Sequence, residues 1–134
     1  MKKVLIIDDE PFICHHIANV LRVKYNIDTE IIKTYNNLEK RLEKGYDAVV
    51  LDIMMPFDKT FFGDMELSDS YPELCTGILL FKKIRHIYPK MPIIYHTAMR
   101  RVECDERSMI LTKPVLASVA AQTINDFIER CEGL

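Results

Sequence analysis

Apolar positions along this chain fall into two alternating patterns, short unbroken runs and stripes spaced at three and four residues. Val4-Leu5-Ile6-Ile7 is an unbroken run, and so is most of residues 47–52, ending Val49-Val50-Leu51-Asp52. Such runs predict strands covered on both faces, as in a parallel sheet. Pro92-Ile93-Ile94-Tyr95-His96-Thr97 and residues 109–112 give two further strands. The mixed segment Asn26–Ile32 suits an edge strand. Between the runs the period changes. Ile13, Ile17, Val20 and Leu21 form one helical stripe after Asp8-Asp9-Glu10-Pro11, acids and a proline that suit a helix start. Tyr35, Leu38 and Leu42 mark a short second helix that stops at Gly45, and Leu80, Ile84 and Ile87 mark a third over residues 77–87. A closing helix over residues 115–131 turns Leu116, Ala120, Ile124, Phe127, Ile128 and Cys131 inward.

Strands alternating with helices predict an α/β fold with a five-stranded, doubly wound parallel sheet of order 2-1-3-4-5, flavodoxin-like. The three most apolar strands, one, three and four, belong at its centre. Two places break the rhythm. Residues 57–76 are longer than an ordinary loop. Five acids there (Asp58, Asp64, Glu66, Asp69, Glu73) against Lys59 leave a local charge of −4, with Phe57, Phe61, Phe62 and Tyr71 interleaved. Those aromatics argue against pure disorder and for partial order, as a lid or a docking surface. Between Thr97 and Lys113 apolar periodicity fails, so a fourth helix is short or missing.

With 134 residues the expectation is one domain, 1–134, with an acidic insertion at 57–76. A net charge of −2 gives no basic surplus for direct nucleic-acid binding. No run reaches the roughly 18 apolar residues of a membrane span, and the N-terminal run is too short for a signal peptide. Cys14, Cys75, Cys104 and Cys131 form no C-x-x-C pair, which favours reduced thiols, Cys14 and Cys131 as small helix-face hydrophobes. Together these predict a cytoplasmic protein.

The candidate chemistry lies where the strands end. Asp8 and Asp9 follow the first strand, Asp52 ends the third, and Lys113 ends the fifth. Open α/β sheets bind their ligands at these carboxyl ends. Three carboxylates repel one another without a cation, and oxygen donors suit Mg²⁺ or Mn²⁺. A carboxylate can accept a phosphoryl group, the Lys113 ammonium can pair with a phosphoryl oxygen, and the Thr97 hydroxyl can bond another. A dehalogenase-like phosphatase would need Asp-x-Asp after the first strand, where this chain has Asp8-Asp9-Glu10. Nucleotide binding would need a Gly-rich turn, and Gly45, Gly63, Gly77 and Gly133 lie elsewhere. His15 and His16 read as solvated or packing, His96 as packing at its strand end, and Arg100 and Arg101 as solvated or a partner contact.

The acidic pair Asp8-Asp9, Asp52 in Leu-Asp-Ile-Met-Met-Pro, Thr97-Ala98 and Lys113-Pro114, in this order and context, resemble a CheY-like response-regulator receiver domain of two-component signalling, from Lys3 to about Cys131. The resemblance implies that Asp52 is the phosphoacceptor and that Asp9, Asp8 (mainly through water), Asp52 and the Met54 backbone carbonyl hold Mg²⁺. It implies a cis Lys113–Pro114 bond that aims the lysine inward. It further implies a sensor histidine kinase or histidine phosphotransfer protein as donor, and an output domain or effector protein as recipient of a conformational signal. Catalysis would extend at most to the domain's own phosphorylation and dephosphorylation. The chain ends with its closing helix, so output is expected from a partner or from a longer regulator of which this is a piece. Three features depart from the family: Ile110 stands at a usually aromatic position, the fourth helix is reduced, and the acidic loop is unusual. These keep a second reading open, a phosphorylation-independent binding module.

Overall fold

A computed structural model describes residues 1–63 and 75–134. Five strands, β1 (Lys2–Ile7), β2 (Ile27–Ile32), β3 (Ala48–Leu51), β4 (Ile93–Thr97) and β5 (Ser108–Thr112), form one sheet in the order β2-β1-β3-β4-β5. Every neighbouring pair is parallel, with Val4 opposite Ala48, Val49 opposite Ile93 and Ile93 opposite Ser108. The three apolar runs are central and the two mixed ones are edges, because only a central strand needs both faces dry.

Helices α1 (Phe12–Tyr25) and α5 (Ala117–Glu132) cover one face, and α2 (Leu38–Leu42) and α4 (Thr76–Ile87) cover the other. Alternation along each strand divides the core. Val4, Ile6, Val50 and Ile94 pack with Cys14, Ile17, Leu21, Ile124 and Phe127. Leu5, Ile7, Val49, Leu51 and Tyr95 face Leu38, Leu42, Leu80 and Ile84. Asn26, at φ 56°, ends α1 in a left-handed turn, and Gly45, at φ 87°, lies just past α2 as the sequence indicates.

Three expected inward positions face water. Ile13 is 49% exposed and Cys14 takes its place, because the stripe of α1 runs Cys14, Ile17, Leu21. Leu116 is 73% exposed because it caps α5 in extended backbone rather than entering the helix. Ile87, 44% exposed, ends α4 beyond the sheet it covers. Tyr35 precedes α2 rather than starting it, yet is buried.

The rhythm breaks where the sequence predicts. No helix lies between Thr97 and Ser108; Met99 and Val102 pack in part against the core there. Arg85 of α4 holds this connection. Its guanidinium bonds both carboxylate oxygens of Asp105 at 2.8 and 3.2 Å, and the carbonyls of Met91 and Arg107 at 2.6 and 3.0 Å. A planar fork with five donors satisfies loop carbonyls that a helix would have bonded internally.

The insertion begins with one turn of helix, α3 (Lys59–Phe62), capped by the Asp58 carboxylate, which accepts the N–H groups of Thr60 and Phe61. Phe62 is buried, stacked 5.2 Å from Phe57 and within 5.4 Å of Tyr35. The Tyr35 hydroxyl donates to the Pro56 carbonyl at 2.6 Å and accepts the Asp58 N–H at 2.8 Å. The expected order is therefore present at 57–63; Asp64, Glu66, Asp69, Tyr71 and Glu73 lie outside the described residues. Among the described residues no helix is long and apolar enough to cross a membrane.

Candidate functional site

The sheet ladder runs on into the residues that follow each strand. Asp8 donates its N–H to the Ile32 carbonyl at 3.1 Å, Asp52 to the Ile7 carbonyl at 3.0 Å, and Lys113 to the Thr97 carbonyl at 2.7 Å. Backbone pairing thus fixes where three candidate side chains start. All emerge at the carboxyl edge of the sheet because parallel strands end together.

There the carboxylates of Asp8, Asp9 and Asp52 come together, with one oxygen of each within 4.8 Å of the others. Lys113 reaches in from β5, its Nζ 3.1 Å from Asp8 Oδ2 and 3.4 Å from Asp52 Oδ2. The Lys113–Pro114 peptide is cis. Asp8 and Asp52 are 1% and 7% exposed, whereas Asp9 is half-buried. Asp8 Oδ1 accepts the Glu10 N–H at 2.9 Å, and Asp52 Oδ1 accepts the Met54 N–H at 3.2 Å. These local bonds hold each carboxylate so that its other oxygen faces Lys113.

The charges respond to this crowding. Burial first, then the neighbouring Asp8, raises Asp9 above the ordinary carboxylate range. Burial raises Asp52 as well, and Asp8 adds to it, outweighing Lys113 and the Met54 N–H. Burial alone would lower Lys113, but Asp52 and Asp8 together raise it. Three hard oxygen donors in one concavity, with a single ammonium against them, match the donor set that Mg²⁺ takes. Octahedral coordination at about 2.0–2.1 Å spans oxygens about 3–4 Å apart, so modest closure would seat one ion among them.

Of the other sequence candidates, Thr97 ends β4 at the same edge, fully buried, its hydroxyl accepting the Met99 N–H at 3.3 Å. Met54 is two residues past Asp52 and 46% exposed. His15, His16, Arg100 and Arg101 are exposed. Ile110 pairs with Tyr95 across the β4–β5 ladder, and the aromatic ring of that pair belongs to Tyr95, 5.3 Å from Phe81.

Two features of the site escaped the sequence reading. Gly77, at the start of α4, donates its N–H to Ile53 at 2.9 Å, and a Cβ there would overlap the Asp52 carbonyl oxygen and stand 2.5 Å from Ile53 Cα. Only glycine lets α4 approach this closely. Behind the carboxylates, Cys14 donates its thiol proton to Asp8 Oδ2 at 3.6 Å, and His96 lies beside them. Burial, with Asp8 adding to it, pushes the Cys14 thiol up to about 12. Burial, with Lys113 adding to it, pushes His96 down to about 4. Neither was legible, since Cys14 reads as a helix-face hydrophobe and His96 as strand.

Comparison with known proteins agrees with this fold. A CheY-like response regulator receiver domain protein from Methanospirillum hungatei JF-1 superposes with a TM-score of 0.71 at 22% identity, covering 99% of this chain and 98% of that one. Response regulator TrrA from Thermotoga maritima, solved in complex with Mg²⁺ and BeF, gives 0.65 at 21% identity over 95% and 99%. DrrB, an OmpR/PhoB homologue from Thermotoga maritima, gives 0.70 at 19% identity; 97% of this chain aligns, spanning 54% of that longer one. No curated protein matches. The profile of the response regulator receiver domain matches residues 4–118, so this chain belongs to the response regulator receiver domain family.

Proposed function

We propose that this domain accepts a phosphoryl group on Asp52 from the phosphohistidine of a sensor histidine kinase or a histidine phosphotransfer protein. The observation that carries the reading is the meeting of Asp8, Asp9 and Asp52 with the Lys113 ammonium, 3.4 Å from Asp52 Oδ2. An Asp52 carboxylate oxygen forms the new bond to phosphorus as the bond from phosphorus to the donor's imidazole nitrogen breaks. Lys113 pairs with a phosphoryl oxygen, and Thr97 hydrogen-bonds another after its hydroxyl leaves the Met99 N–H. Asp9, Asp8, Asp52 and the Met54 carbonyl would hold Mg²⁺ or Mn²⁺, which supplies positive charge against the transferred group. Domain 1–134 then signals by conformational change to an effector or output domain, within the cytoplasm.

A second reading, a binding module independent of phosphorylation, is favoured by two features: β4 passes to β5 without a helix, and Ile110 stands where the resemblance implies an aromatic side chain. Incubation with acetyl phosphate or a kinase, followed by mass-spectrometric site mapping, decides between them. Mg²⁺-dependent label on Asp52, absent from Asp52→Asn, is expected. Absence of label, together with no amide shifts at Asp52 and Thr97 on adding Mg²⁺ and beryllofluoride, leaves the second reading standing.

A further inference from the structure

Asp8 belongs to two clusters. One is the carboxylate rim; the other, beneath it, is Asp8, Cys14 and His96, each offering one donor atom within 4.8 Å of the other two. The second set mixes oxygen, sulfur and nitrogen, which Mg²⁺ does not select and which ions of the zinc class do. Its geometry is close to assembled. With zinc–sulfur at about 2.3 Å and zinc–oxygen at about 2.1 Å, a tetrahedral S···O edge is about 3.6 Å. The Cys14 Sγ to Asp8 Oδ2 distance is 3.6 Å. His96 supplies an independent observation: it is 1% exposed, and its Nδ1 has no hydrogen-bond partner among the described residues. A buried, unpartnered polar atom is costly in the absence of a ligand.

We propose that Asp8, Cys14 and His96 form a second cation site, for a borderline transition ion such as Zn²⁺, whose filling opposes phosphoryl acceptance at Asp52. The second clause rests on the function proposed above. Three protein ligands leave a fourth position open for water. Binding replaces the Cys14 thiol proton, which leaves to solvent, while Asp8 Oδ2 exchanges the Lys113 ammonium for the metal. Lys113 is therefore the competitor: its Nζ lies 3.1 Å from that same oxygen, and its side chain, 25% exposed, stands at the outer side of an otherwise buried cluster. Removing Asp8 from the rim and the ammonium from its partner disarms the site above.

Co²⁺ titration of the intact chain tests this without reference to phosphorylation. A thiolate-to-cobalt charge-transfer band that Zn²⁺ abolishes is expected in the wild type and absent from Cys14→Ser. His96→Gln weakens cobalt binding by more than about 100-fold, since even an outer-sphere partner is worth about 10–100-fold. Lys113→Ala strengthens it by about tenfold or more. Asp9→Asn keeps the band, separating this site from the Mg²⁺ rim. No band in the wild type, a band that survives Cys14→Ser, or one indifferent to His96→Gln overturns the site. Should His96→Gln fail to fold, a Zn²⁺-dependent rise in melting temperature in the wild type but not in Cys14→Ser serves the same purpose, and its absence overturns the proposal. Zinc binding with no loss of Mg²⁺-dependent label in the wild type overturns the antagonism alone; a chain that takes no label but binds cobalt refutes the proposed function and leaves this site intact.

Discussion

Replacing Gly77 by alanine tests how tightly the start of α4 is fitted against the end of β3. The added methyl would stand 2.5 Å from Ile53 Cα and overlap the Asp52 carbonyl oxygen, both of them backbone atoms. Ordinary contact begins near 3.4 Å, so the two segments must separate by more than 1 Å to clear the carbonyl oxygen. Alanine gains up to about 1 kcal/mol of helix propensity over glycine. Overpacking costs about 1–3 kcal/mol, and backbone atoms that cannot swing aside put it at about 2–3, so the net is a loss of about 1–2 kcal/mol. For a domain of this size that is a melting temperature lower by about 3–10 °C. The displacement falls on the backbone of Asp52, the acceptor proposed above, and a misplacement of about 1 Å costs a reacting group on the order of 10²-fold. Thermal melts, amide shifts at Asp52 and Ile53, and the rate of labelling by acetyl phosphate read the three consequences. A variant that melts at or above the wild type, with unmoved amides and an unchanged rate, would show that the close approach constrains nothing.

Lys113→Ala leaves Asp8 and Asp52 buried without their ammonium; since Lys113 is itself partly exposed, the expected loss is about 2–4 kcal/mol. Mg²⁺ should restore more stability to this variant than to the wild type, and equal Mg²⁺ effects in calorimetry would contradict the assigned pairing. Tyr35→Phe removes a bond to Pro56 and one from Asp58, so it should cost about 1–2 kcal/mol and raise amide exchange across 57–63; unchanged exchange there would count against the tie. Glu30 is held below the ordinary glutamate range by Tyr46 and, against burial, by Arg41. A depressed carboxylate stabilises above its unfolded pKa of about 4.3 and loses that contribution as pH falls through its lower folded value. Glu30→Gln should therefore melt lower than the wild type at neutral pH, the difference vanishing in acid; a gap that persists at the lowest pH refutes the linkage.

The strand order was legible because burial on two faces leaves an unbroken apolar run, and Val4–Ile7, Val49–Leu51 and Ile93–Tyr95 carry it. The meeting of Asp8, Asp9, Asp52 and Lys113 was legible for a related reason: a parallel sheet brings all its strand ends to one edge. Helix phase was less so. A stripe through Ile13 fits the spacing as well as one through Cys14, and only the position of the sheet chooses between them. Gly77 carries no local sign of its contact with Asp52, since the contact is between segments distant in sequence. The α3 turn was hidden because its stabilising partner, Tyr35, comes from the far side of α2. Arg85 likewise reads as an ordinary cation in the last turn of a helix until Asp105 and Arg107 arrive beside it.

The Tyr35 hydroxyl joins a carbonyl four residues beyond Asp52 to the N–H that opens the inserted turn. A shift of Pro56 therefore travels through a single oxygen atom into Asp58 and the ring cluster of Phe57, Phe61 and Phe62. That ties residues 57–63 to the segment leaving the carboxylate rim, on the β2 side of the sheet. Where β4 runs to β5 without a helix to displace, the described start of the insertion, residues 57–63, is the helical turn tied to that segment.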